Sequence, residues 1–351
     1  MKWYQNPVFE GRPEDLDMQI SKIATPAFRM SLQSSIYHAH PLDYVEEYSA
    51  LFELFEPILQ RDATRLLFIE PPRLNKRRRK KILPEDWEPF RYQREIISDD
   101  DRTFIGFDFQ SGDNNNPHNR RYDIGPTKFY ARVDSNIRLD ASIPVEDFLT
   151  GALDIDRLKA CLFDLPIHSG LAGYGMCISD TLDWPVYTHG LIEPARRFPV
   201  LDLCASIDRS WVLDSGYGER DYRDGRHMWL GGLNWLTHVG EPFLSRLGGL
   251  KAVTDGLDSR IIWDTGKDAV VFQIGERPIT GQAGIDDDLL PLYFELGQRL
   301  QPPDDGCPST RYPFHRVFGG NPTEYPENVH WARRFYDGPD GPWFREYAEK
   351  A

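Results

Sequence analysis

The order in which two hydrophobic periodicities follow one another constrains the fold of this chain more than any other feature. Between Leu42 and Gln60, the residues Val45, Tyr48, Phe52, Phe55 and Leu59 recur every three or four positions, the spacing of one helix face. Pro41 stands at the start of this helix, where a missing N–H costs nothing. Strand-like segments flank it, Phe28 to Tyr37 before and Arg65 to Ile69 after, the second stopped by Pro71-Pro72. Thr103 to Phe109 and Lys128 to Leu139 read as further strands around the polar loop SGDNNNPHNRR. Then come a helix from Ile155 to Phe163 with Asp154 as its N-cap, and a glycine-rich strand from Gly170 to Ile178. Pro185 to Arg197 reads as helical in part, and Phe243 to Gly256 as a helix broken at Gly248-Gly249. Arg260 to Asp264 and Asp268 to Ile274 form a hairpin around Thr265-Gly266-Lys267. Leu289 to Leu300 is an amphipathic helix, with Asp286, Asp287 and Asp288 at its positive end, and a short helix is expected over 327–336.

Strands and helices therefore mix without strict alternation. The class is α+β, with antiparallel or mixed sheets packed against amphipathic helices. The order strand, helix, strands occurs in both halves and admits a duplicated βαβ-type unit. The expected layout is an irregular arm over 1–27, a domain over 28–302 with a pseudo-repeat boundary near 140–150, and an aromatic, proline-rich tail over 303–351 packed on that domain.

The 351 residues carry a net charge of −14, which repels phosphate backbones, so nucleic acid is not an expected partner. The acidity serves solubility or steers the chain toward a basic partner surface. Four cysteines in so long a chain, with no C-x-x-C pair, read as reduced thiols rather than a disulfide framework. The first residues lack the apolar run of a signal peptide, and no stretch approaches the ~18 apolar residues of a membrane span. The expectation is a cytoplasmic protein with no membrane partner, monomeric in preference to oligomeric.

Catalytic signatures are missing: no phosphate-cradling G-x-x-x-x-G-K-[ST], no H-E-x-x-H, no G-x-S-x-G. GLAGYG, from Gly170, is not G-x-G-x-x-G and lies in a strand, so it reads as a place of close backbone approach rather than a cofactor loop. His38 and His40 sit two apart without a third ligand at matching spacing, and Asp214-Ser215-Gly216 has no base in local sequence. No catalytic residue, cofactor or metal is expected.

Binding residues are easier to nominate. Lys76 to Lys81 (KRRRKK) is read as part of a charged loop over 71–102, either solvated and paired with nearby acids or offering Arg78 and Arg79 as contacts for an acidic partner surface. In SGYGERDYRDG, from Ser215, Tyr217 and Tyr222 alternate with Glu219, Asp221 and Asp224 and with Arg220, a composition that interfaces favour. The loops 71–102, 111–123 and 215–225 are the expected binding surfaces.

Several blocks between about residues 150 and 303 resemble a bacterial family: LPIHSGLAGYGM; FPVLDL from Phe198 to Leu203; GGLNWLTHVGEPFLSRLGG from Gly231 to Gly249; and a turn with Gly275, Pro278 and Gly281. The chain resembles the type VI immunity family, long described only as a domain of unknown function. An acid often follows the last glycine of that turn in the family, whereas this chain has Gln282. The tail beyond residue 303 lies outside the resemblance. Its implication is an immunity protein that binds and neutralises an antibacterial toxin delivered by a type VI secretion system. The toxin would be a nuclease, an ADP-ribosyltransferase or another enzyme acting in the cytoplasm, with its active site or substrate path occluded. An unrecognised hydrolase-type enzyme and an adaptor or chaperone of the secretion apparatus are the alternatives. In the Gly231 to Gly249 block, Leu233, Trp235, Leu236, Val239, Phe243, Leu244 and Leu247 read as buried scaffold.

Overall fold

A computed structural model describes residues 24–35, 41–69, 76–79, 82, 84–96, 105–112, 125–133, 136–178, 195–202, 232–301, 330–331 and 333–346. Its strands are β1 (Ala24–Ser35), β2 (Arg65–Ile69), β3 (Lys76–Arg79), β4 (Ile105–Gln110), β5 (Lys128–Val133), β6 (Asn136–Ile143), β7 (Ser169–Ile178), β8 (Leu236–Gly240), β9 (Ile261–Thr265) and β10 (Ala269–Ile274). All ten join one sheet in the order β3-β2-β4-β5-β6-β1-β7-β8-β10-β9. Every named pairing is antiparallel. The α+β class holds, with one continuous sheet in place of several.

Among the helices are α1 (Val45–Asp62), α2 (Pro89–Ile96), α3 (Val145–Leu149), α4 (Ile155–Asp164), α5 (Phe243–Arg246), α6 (Leu250–Thr254), α7 (Leu290–Arg299) and α8 (Pro342–Glu346). The Asp154 carboxylate accepts the Arg157 N–H and caps α4. Gly248 and Gly249, at φ 93° and 81°, end α5 and let α6 start in a new direction.

Two readings change. Lys128 to Leu139 is a hairpin, β5 and β6, with Val133 opposite Ile137. One apolar-rich run hides the turn because both strands bury the same side. The supposed loop over 71–102 contains β3 and α2, and β3 is made of Lys76–Arg79 itself. Four cations tolerate a strand here because β3 is the outermost strand of the sheet.

The alternation in β1, β4, β5 and β6 divides their side chains cleanly. Phe28, Met30, Leu32, Phe107, Phe109, Phe129, Ala131, Leu139 and Ala141 join one core beneath α1 and α4. Phe52 of α1 sits among three rings of that core, at centroid distances of 6.3 Å to Phe107, 5.4 Å to Phe109 and 4.9 Å to Phe129. Arg29, Ser31, Asp108, Gln110, Lys128 and Asp140 take the other face and are also buried. In the second half, β10 lies between two cores, with Val271 in the first core and Val270, Phe272 and Ile274 in a second. Trp331, Phe335, Tyr336 and Trp343 also enter that second core.

Buried charge in the sheet is paired. The Arg29 guanidinium donates to Asp140 Oδ1 at 3.0 Å and to the Met176 carbonyl at 3.2 Å, and lies 3.6 Å from Asp202 Oδ2. Ser31 Oγ donates to the same Asp140 oxygen. Removing Arg29 strands two buried carboxylates, which costs roughly 3–5 kcal/mol. Arg61 has similar geometry, 2.6 Å from both Asp62 and Asp147, but its side chain is 53% exposed. We predict that Arg29→Met lowers unfolding stability by about 3 kcal/mol or more and Arg61→Met by under about 1 kcal/mol. Denaturant titration checks the contrast, and equal effects would contradict it.

Candidate interaction surface

The glycine-rich strand β7 is built for close approach. A Cβ on Gly173 would collide with the Asn234 side chain, and one on Gly175 would meet Asp202 backbone oxygen at 2.7 Å. One on Gly170 would meet Leu32 Cδ2 at 2.7 Å. Asn234 uses the space at Gly173 to donate to the Tyr174 carbonyl at 3.0 Å while its Oδ1 accepts the Trp235 N–H at 2.8 Å. Thus GLAGYG is a packing device within a strand. Trp235 Nε1 then donates to the Gly275 carbonyl at 3.2 Å and ties the tryptophan block to the turn after the hairpin. In that turn Asp286 Oδ2 accepts the N–H groups of Thr280, Gly281 and Gln282. The acid that closes the turn is therefore Asp286, four residues beyond Gln282.

His238 is fully buried in β8, opposite Gly170 and Val271, and neither ring nitrogen has a hydrogen-bond partner. Burial alone lowers its pKa to about 4. It is a neutral core histidine. Among the described residues, no group of three or more His, Cys, Asp or Glu could hold a metal ion. Cys161 and Cys177 are both buried. Among the described residues, no helix is long and apolar enough to cross a membrane.

Among the described residues, the two sheet edges are candidate interaction surfaces. Arg78 and Arg79 lie on β3, opposite Leu67 and Leu66 of β2. Tyr217, Glu219, Arg220, Asp221, Tyr222 and Asp224 lie outside the described residues, as do His38, His40, Asp214 to Gly216 and most of the 111–123 loop. The opposite edge is β9, which the sequence marks only as half of a hairpin. It exposes Ile262 at 51% and Trp263 at 41%. Alternation in IIWDT marks no single buried face, and only the strand's terminal place in the sheet makes it a surface.

The fold is shared with a solved structure. The Pseudomonas aeruginosa T6SS protein PA0821 matches at a TM-score of 0.60 and 22% identity, over 79% of this chain and 73% of that one. No curated protein matches the chain. The fold class is thus that of a known T6SS protein. The chain belongs to the TsiV family, described as type VI immunity for VRR-NUC, which matches residues 158–335. That match runs past residue 303 into the tail, where Arg334 lies 3.9 Å from the Trp331 ring and donates to the Pro199 carbonyl at 2.6 Å.

One prediction concerns His238. Its ordinary pKa of 6.5 applies in the unfolded chain, so below about pH 6.5 that state binds a proton the folded state refuses until about pH 4. Stability falls as pH drops through this window, by on the order of 3 kcal/mol in total. Denaturation midpoints at pH 7 and pH 5 should separate in the native protein and converge in His238→Leu. An undiminished separation in the variant would contradict the assignment. In the same region, Gly173→Ala should cost about 2 kcal/mol or more by breaking both Asn234 hydrogen bonds. A thermal midpoint within one or two degrees of the native value would refute that.

Proposed function

We propose that this protein protects its cell by binding a VRR-NUC toxin, which we take to be a nuclease, in the cytoplasm, and by blocking its active site or substrate path without chemistry of its own. Membership of the TsiV family is the observation that carries this reading. The net charge of −14 supports it, because an enzyme that grips nucleic acid presents a cationic face to any acidic competitor. Arg78 and Arg79, with the segment carrying Tyr217, Glu219, Arg220, Asp221, Tyr222 and Asp224, remain proposed contacts with acidic and mixed parts of that toxin. A few aromatic anchors would supply most of the affinity, with charge steering the encounter.

The test is direct association of the purified chain with the VRR-NUC protein encoded beside it. We expect co-elution as one complex and a dissociation constant well below micromolar, weakening as salt rises. Two proteins that elute separately at micromolar concentrations would sink the proposal.

A further inference from the structure

The two edges of the sheet are finished in opposite ways. A sheet edge is a row of unpaired N–H and C=O groups, and native proteins blunt such rows with charge. β3 does so with four successive cations, Lys76–Arg79. β9 instead carries Ile261, Ile262 and Trp263.

The backbone of β9 is open on its outer side. Gly266 N–H donates to the Ala269 carbonyl at 2.9 Å, and Gly275 N–H donates to the Arg260 carbonyl at 3.0 Å. Ile262 and Asp264 therefore turn their amides to β10, and Trp263 and Thr265 turn theirs away. Among the described residues, no strand pairs with that side. The side chains follow the same geometry. Trp263 lies opposite Phe272, at the rim of the second core, and Ile262 lies opposite Gln273, on the face of α4. Each face of the edge thus offers one large apolar side chain to an incoming strand.

The surroundings select the occupant. Asp156, Asp255, Asp258, Asp264 and Asp268 outnumber Lys159, Arg260 and Lys267 on and beside the hairpin, and Lys159 is already engaged by Asp264 at 3.3 Å and Asp156 at 3.7 Å. Arg260 is already engaged, by the Asp258 carboxylate at 2.9 Å and the Asp288 carbonyl at 3.1 Å. An apolar edge with an acidic rim, on a chain of charge −14, disfavours a second copy and favours a cationic strand. Building on the immunity reading, we infer that β9 is a docking edge. An extended segment of the toxin, with Lys or Arg flanking apolar residues, adds to it as a further strand. Main-chain pairing to Trp263 and Thr265 supplies affinity, and the side chains of Ile262 and Trp263 supply selectivity.

The experiment combines hydrogen exchange on the native complex with two exposed-site variants. Trp263→Thr removes the anchor, and Thr265→Pro removes an outward N–H while leaving the pairing to β10 intact. We expect the Trp263 and Thr265 amides to gain protection on toxin binding. Each variant should bind at least about ten-fold more weakly with an unchanged thermal midpoint. A native complex that leaves both amides unprotected, with variants binding within about two-fold, overturns the inference alone. A native chain that dimerises by itself, and that Trp263→Thr turns into a monomer, assigns the edge to a second copy and also overturns it. A native chain that does not bind the toxin at all removes the immunity reading and this inference together.

Discussion

The ladder between β1 and β7 is the constraint on which the rest of the structure depends. It runs antiparallel from Ala24↔Ile178 to Gln33↔Ser169 and joins two sets of strands that have no other shared sheet boundary. Strands of the first half fan out beyond β1, and those of the second beyond β7. The glycines of β7 make this junction possible. At Gly173 and Gly175 the absent side chains admit Asn234 and Asp202, which bring the tryptophan block and the residue 202 segment onto the central strand. Arg29, placed opposite Gly173, then meets both Asp140 and Asp202. One position per strand thus couples backbone spacing, hydrogen bonding and buried charge. Side chains there would force apart the elements that define the family block.

A sheet assembled outward from its centre ends in two edges, and these differ in what they can do. The basic edge at β3 is a poor template for strand addition, because a pairing strand would have to approach four cations. The apolar edge at β9 carries no such barrier. The apolar residues of the family block, Leu233, Trp235, Leu236, Val239, Phe243, Leu244 and Leu247, are buried. The buried residues that mark the family are therefore scaffold, and the docking edge proposed at β9 lies at the margin of the sheet they hold together.

Much of this fold is legible in the sequence. The period of α1 is explicit in Tyr48, Phe52, Phe55 and Leu59, and all four are buried. The β9–β10 hairpin is legible from Thr265-Gly266-Lys267, and the break between α5 and α6 from two adjacent glycines. The β5–β6 hairpin is not legible because strand periodicity carries no information about where the chain reverses when the same face stays apolar. β3 is not legible because a run of cations reads as a solvated loop, and only its place at an edge permits a strand. The edge role of β9 was invisible for the converse reason: Ile262 and Trp263 look like core residues. Their exposure follows from strand order, which no local pattern encodes. The acid that closes the 280–286 turn is not legible beside Gly281, where the chain has Gln282, because the carboxylate arrives through space from Asp286.

Binding as the whole of the mechanism is most directly tested by titrating toxin activity against this protein at concentrations far above the dissociation constant. Stoichiometric occlusion predicts a linear fall that reaches zero at one equivalent, with both chains covalently unchanged. Inhibition by a small fraction of an equivalent would indicate turnover, and a one-to-one complex that retains full activity would indicate carriage without protection. Either result would contradict the account.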